Sequence, residues 1–284
     1  MGRVLAVGWA CVDLRFHLEA WPPRSSRTEV KAYREALGGP AAVAARTVAR
    51  LGGEAHLLSR RGQDRLGEWL EEALRGAGVT PHLIPGEATP VSAVLVAPGG
   101  ERYIFPYRGR LPEGLESGWS SLLDEVDVVL ADLRWPEAGR MVFLEARRRG
   151  LPRVLDLDRV GEEALGLARL ASHVVASQEA EEALGGVEAL ERLFPEAFVA
   201  ATRGEEGVVW PGGRWQALPV RPRDTTGAGD VFHGAFAWAL ARSFDAIKAL
   251  QIANIVAGLY VERGEVPEWE EVRGWMALSE KGSL

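Results

Sequence analysis

The stretch "DTTGAGDVFHGAF" at positions 224–236 places two carboxylates, Asp224 and Asp230, on either side of Gly227, Ala228 and Gly229, and then runs straight into an apolar segment. A bare Gly-Ala-Gly turn entering a helix leaves several backbone N–H groups unpaired and pointing one way, and the helix dipole adds positive potential there. That is a site for an anion, phosphate above all. Asp230 on the first turn is a poor ligand for phosphate. It is well placed as the base beside a transferring phosphoryl group. His233 falls on the same helix face three residues on and is a second candidate base, with packing or a hydrogen bond as its plainer role. Alone, a short Gly-x-Gly turn also fits an ordinary loop in which Asp224 or Thr226 caps a helix.

The elements that must hold this turn are legible on either side of it. A first strand is expected over 3–10, followed by two extended segments, "DLRFHLEAWP" and "TEVKAYREAL", around a Pro/Ser turn. "GGPAAVAARTVARLGG" (38–53) reads as a glycine pair opening an alanine-rich helix, and Asp64 as the N-cap of a second, amphipathic helix. "PVSAVLVAPGGERYIFPYRG" reads as a β-hairpin turning at "PGGE". Apolar strands at 126–132, 153–158, 173–177 and 197–204 alternate with helical stretches, the pattern of a parallel sheet covered on both faces. A second hairpin, "GVVWPGGRWQAL", precedes helices expected at 227–242, 244–263 and 267–279. The expectation is a single α/β domain over 1–284, with segments of about 11–37 and 89–108 forming a small β-sheet lid outside the parallel core. A crevice between core and lid is a natural ligand site.

Composition narrows the function. With 284 residues, 47% of them hydrophobic, the chain can bury a large core, and no run approaches a membrane span. The N-terminal apolar stretch is broken by Trp9, Cys11 and Asp13 and reads as a strand rather than a signal peptide. A net charge of −7 with both signs interspersed argues against nucleic acid as a partner. Cys11 is the only cysteine, which excludes a disulfide frame and a cysteine metal site; a reducing cytoplasm is the expected location.

The long string around Asp230 resembles the signature of the pfkB, or ribokinase-like, carbohydrate kinases, roughly D-T-x-G-A-G-D-x-F-x-G-A, with every fixed position met. The resemblance extends over nearly the whole chain and implies a ribokinase-like three-layer α/β/α core. It implies an ATP- and Mg²⁺-dependent transfer to a sugar hydroxyl, expected to be a primary alcohol of a ketose or related sugar. Asp230 is then the base, and Gly227, Ala228 and Gly229 cradle the γ-phosphate. By the same resemblance Gly38 and Gly39 let the sugar lie close to the backbone, and Asp13 binds its hydroxyls. Val43 departs from the asparagine the family often has there. "ATRGEEGVVW" is similar to the family's T-x-G-x-x-G segment and places Thr202, Gly204 and Gly207 near the ATP phosphates. "SQEAEEAL" sits where the family has N-x-x-E, with Gln178 replacing the asparagine and Glu181 acting on Mg²⁺ through water. Asn254 falls where the family contacts adenine, and a monovalent cation is implied near Asp224. A homodimer paired through the β lid is also implied. "DVVLADLRW" and "DTTGAGDVFHGA" look closest to the sulfofructose kinase branch, where arginine or lysine grips a sulfonate. Arg134 and Arg27 fall at matching places, Arg108 and Arg110 lie nearby, and an anionic sugar is the resulting expectation. A nucleoside kinase and a binding regulator with a degenerate site are the alternatives.

Overall fold

The computed structural model describes residues 2–22, 25–98, 101–115, 117–222 and 225–280. Its elements run β1 (Arg3–Val7), β2 (Cys11–Leu18), β3 (Val30–Gly38), α1 (Pro40–Arg50), β4 (Glu54–Gly62), α2 (Arg65–Gly76), β5 (Val79–Gly86), β6 (Val91–Val96) and β7 (Arg102–Tyr107). They continue with β8 (Val128–Ala131), α3 (Pro136–Arg148), β9 (Arg153–Leu157), α4 (Glu162–Ala168), β10 (His173–Ser177), α5 (Gln178–Ala183), α6 (Val187–Leu193), β11 (Phe198–Thr202), β12 (Val208–Trp210), β13 (Gly213–Trp215), α7 (Ala228–Ala241), α8 (Ala246–Arg263) and α9 (Trp269–Glu280).

The short apolar strands pair into one sheet of order β13-β12-β11-β10-β9-β8-β1-β4-β5. It is parallel from β11 to β5, and β12 and β13 add as an antiparallel edge. Both faces are covered, as continuous apolar strands require. Along β1, Val4 and Ala6 join the core beneath α1, α7 and α8, whereas Leu5 and Val7 join the core beneath α3 to α6. The result is the ribokinase-like α/β fold. A second sheet of order β3-β2-β6-β7 stands apart from the parallel core. Its strands carry the two early sequence segments, and Gly99 and Gly100 of the expected β6–β7 turn lie outside the described residues. β5 is a strand not expected from the sequence.

Candidate active site

The strand order reverses between β1 and β8, because the chain goes out from β1 to β4 and β5 before returning on the other side to β8. Ligands bind such sheets in the crevice beyond the strand ends at this point. Asp132, directly after β8 and only 3% exposed, sits in it. Its Oδ2 accepts the Trp9 N–H at 2.8 Å and the Ala41 N–H at 3.1 Å, and its Oδ1 accepts the Arg134 N–H at 2.7 Å. A Cβ on Gly8 would lie 2.3 Å from this carboxyl group, so only glycine fits there. One carboxylate thereby ties together the exits of β1 and β8 and the start of α1. Burial pushes it up to about 6, with the amide hydrogen bonds from Trp9 and Arg134 opposing the shift. The sequence reading assigned Asp132 no role; a carboxylate ending an apolar strand was the available signal.

A cavity of about 330 Å³ opens above this junction, between the parallel core and the lid sheet. One wall is Asp13 on β2 with Gly38 and Gly39. A Cβ on Gly38 would fall 2.2 Å from Asp13 Oδ1, and one on Gly39, whose φ is +95°, would fall 2.4 Å from the Trp9 carbonyl oxygen. The glycine pair is therefore dictated by close approach. Val43 also lines the cavity, presenting a methyl surface where an amide would offer hydrogen bonds. Cys11 lies beside Asp13, and burial pushes its thiol up to about 12, so it stays protonated and is no nucleophile.

The opposite wall is the start of α7. Gly227 caps the helix with φ +76°, and the Tyr260 hydroxyl holds the entering loop by donating to Thr226 O at 2.8 Å. Ala228 and Gly229 begin the first turn of α7; neither lines the cavity, and the Ala228 N–H is donated to Thr225 O at 3.2 Å. Asp230 faces the cavity, half-buried. Burial in the first place, and then the negative charge of Asp156, push it up to about 7, while His233 and Arg134 pull the other way. A carboxylate poised near neutrality is suited to general-base work. His233 does not line the cavity; its ring nitrogens lie 2.7 Å from Gly229 O and 3.1 Å from Val175 O.

The arginines are arranged differently from the sequence expectation. Arg134 reaches the cavity, but its guanidinium is engaged in a two-point pair with Asp158. Arg27 is exposed and outside the cavity lining, and Arg110 is exposed with Glu87 3.5 Å away. Arg108 does line the cavity, over the Trp9 ring at 5.9 Å. Arg46 on α1 lines it as well and was missed by the sequence reading. Long helical side chains point back toward the helix N-terminus, which is how a residue in the second turn of α1 reaches the site. Among the described residues, neither Arg46 nor Arg108 forms an ion pair.

The residues expected to meet the nucleotide gather at neighbouring strand ends. Ser177, which ends β10 and caps α5, pairs in register with Thr202 at the end of β11, so Gln178 and Thr202 share one edge. Gly204 (φ +52°) and Gly207 (φ +94°) form the turn into β12, and a Cβ on Gly207 would lie 2.1 Å from Trp215 O. Asn254 is committed to the backbone, donating to Gln216 O at 2.7 Å. Glu181, expected to reach Mg²⁺ through water, is 1% exposed, and both its oxygens are held by Arg203, at 3.1 and 2.7 Å. No cluster of three metal-ligating side chains exists among the described residues. These residues do not fit a protein-built magnesium site. Asp224, and with it the expected monovalent cation, lies outside the described residues.

The family model for "pfkB family carbohydrate kinase" matches residues 1–269. The chain belongs to the pfkB family of carbohydrate kinases. Its ribokinase relative in Bacillus subtilis (strain 168) is 27% identical, over 96% of this chain and 98% of that one. A nucleoside kinase of Methanothermobacter thermautotrophicus is 25% identical, over 91% of this chain and 89% of the other. Among solved structures, a provisionally assigned ribokinase from Agrobacterium tumefaciens superposes with a TM-score of 0.91 and 29% identity, covering 99% of both chains. Arabidopsis thaliana ribokinase complexed with ribose and ATP shares the fold with a TM-score of 0.84 and 22% identity, over 96% of this chain and 98% of that one. This pfkB chain is thus an ATP-using sugar or nucleoside kinase, a phosphotransferase with an alcohol acceptor. These relatives give no specific support to the sulfofructose kinase branch. No helix among the described residues is long and apolar enough to cross a membrane.

Proposed function

We propose that the protein transfers the γ-phosphoryl group of ATP to a hydroxyl, expected to be a primary one, of a ketose or related sugar seated between the lid and α7. The observation that carries this reading is Asp230. It stands on the first turn of α7, facing a cavity whose other wall is Asp13, Gly38 and Gly39. Asp230 takes the hydroxyl proton as the sugar oxygen forms its bond to phosphorus, and the bond from phosphorus to the bridging oxygen breaks to release ADP. The amides of Gly227 and Gly229 and the α7 dipole meet the charge on the transferring group, while the Ala228 N–H is donated to Thr225 O at 3.2 Å. Thr202, Gly204, Gly207, Gln178 and Asn254 line the approach of the nucleotide. Mg²⁺ would arrive with the ATP phosphates, which together with water would supply ligands for it. Lid closure excludes water, the competing acceptor. The lone buried Cys11 suits a reducing cytoplasm.

Arg46 and Arg108 favour an acidic substituent on the sugar, because two cations that face the cavity without a protein carboxylate offer charge-assisted bonds to a carboxylate, phosphate or sulfonate. This reading replaces Arg134 and Arg27 as the expected grip. The relative that is a nucleoside kinase favours a second reading, a ribose hydroxyl presented by a nucleoside. ATP turnover with neutral ketoses, ribose, adenosine and acidic sugars separates the possibilities. The acidic reading predicts that Arg46→Met and Arg108→Met each lower kcat/KM for the acid about 10-fold or more, with little change for the neutral analogue. Equal loss for both substrates overturns the acidic reading. Turnover with adenosine alone selects the nucleoside kinase, and no turnover with any acceptor returns a binding regulator.

A further inference from the structure

Phosphoryl transfer by Asp230 leaves His233 without a task, yet its surroundings are unusual. The ring is 3% exposed on α7, one turn beyond Asp230. Its Nδ1 lies 2.7 Å from Gly229 O, and its Nε2 lies 3.1 Å from Val175 O and 3.5 Å from Asp156 Oδ1. Backbone carbonyls only accept hydrogen bonds. A neutral imidazole has one N–H and one bare lone pair, so either tautomer would aim that lone pair at a carbonyl oxygen in a buried place. The doubly protonated ring donates from both nitrogens and satisfies both carbonyls. Asp156, 7% exposed on β9, supplies the counter-charge, and a buried charge is tolerable when it is both paired and hydrogen-bonded.

We infer that His233 is a permanently protonated imidazolium that fixes the Gly229–Asp230 peptide and favours the ionised, proton-accepting form of Asp230. The inference rests on Asp230 being the base. Two consequences follow from the geometry. The peptide unit is planar, so pinning Gly229 O also pins the Asp230 N–H on its far side, at the mouth of the anion site. The charge balance around Asp230 also depends on this ring. Asp156 and Asp132 disfavour ionisation of Asp230, while His233 and Arg134 favour it, and Arg134 is already committed to Asp158. Around His233 itself burial opposes the proton, and Asp156, the two carbonyls and Asp230 together outweigh that cost. Since its ring does not touch the cavity, His233 is a positioning residue.

The direct test is nitrogen-15 NMR of the full chain labelled at histidine. The His233 signal is assigned by its loss in His233→Gln, and by elimination with single substitutions at His17, His56, His82 and His173 if that variant does not fold. At pH 8 both ring nitrogens of His233 should show protonated shifts with exchange-protected N–H groups. One bare nitrogen overturns the inference, with the kinase reading untouched, since no substrate enters the measurement. The second test is the pH profile of kcat/KM in His233→Gln. Its acid limb should move up by roughly one pH unit, with activity recovering to within about threefold of wild type at alkaline pH. A merely structural role would lower activity by one factor at every pH, and superimposable limbs would count against the inference.

Discussion

In the proposed mechanism Asp230 sets the pH response of the enzyme. A base works only when ionised, and burial with Asp156 nearby raises its pKa, so activity should fall as the medium drops through neutrality. A kcat/KM profile from pH 5 to 9 checks this; a rate constant that stays level down to pH 5 contradicts it. At this scale the sequence was informative wherever chemistry is local. The Gly-Ala-Gly turn and Asp230 lie within four positions, so the sequence alone puts them at one helix start. The partner that engages Arg134, Asp158, is 24 residues away and becomes visible only once β8 and β9 are side by side. Arg46 was missed for the converse reason: nothing in an alanine-rich helix says which side faces a cavity.

Elements act here through the carboxylate and the glycine that join them. Asp132 accepts three backbone N–H groups through two oxygens. Asp132→Asn keeps the shape but turns an NH₂ toward one of those donors and leaves it unpaired. The expected cost is about 1–3 kcal/mol, read as a lower Tm, together with a raised KM for the sugar because the Gly39–Ala41 segment loses its anchor. An unchanged Tm and KM would show that the junction does not position the site. The two glycines of the α7 entry separate by conformation. Gly227 has φ +76°, whereas Gly229 is helical and a Cβ there meets nothing within 4 Å. Gly227→Ala should therefore destabilise by about 1–2 kcal/mol. Gly229→Val should keep nearly full stability, because the position is exposed and open, yet lose activity if the proposed cradle holds the phosphate there; normal turnover contradicts the cradle. Backbone angles assign the strain of this turn to Gly227. Most parallel strands were legible from their apolar runs. β5 was not, since Pro81 and Pro85 break the pattern, and they are tolerated because β5 is the sheet's edge.

At the scale of the molecule, the lid exposes an apolar face. The register of β2, β3, β6 and β7 puts Tyr33, Phe105 and Tyr107 on the side away from Asp13, and they are 50%, 58% and 50% exposed. A second copy covering this face would make the homodimer that the family resemblance implies, and Phe105→Asp should then yield a monomer with a raised sugar KM in analytical ultracentrifugation and kinetics; a wild-type monomer at tens of micromolar contradicts the pairing. In the proposed mechanism the layered core and the separate lid bring two walls together around one hydroxyl, and Asp230→Asn tests that most directly. With a saturating acceptor sugar, single-turnover transfer from ATP should slow by about 10²–10⁴-fold, while binding of a non-hydrolysable ATP analogue stays within about twofold. Transfer within tenfold of the wild-type rate would show that another group takes the proton.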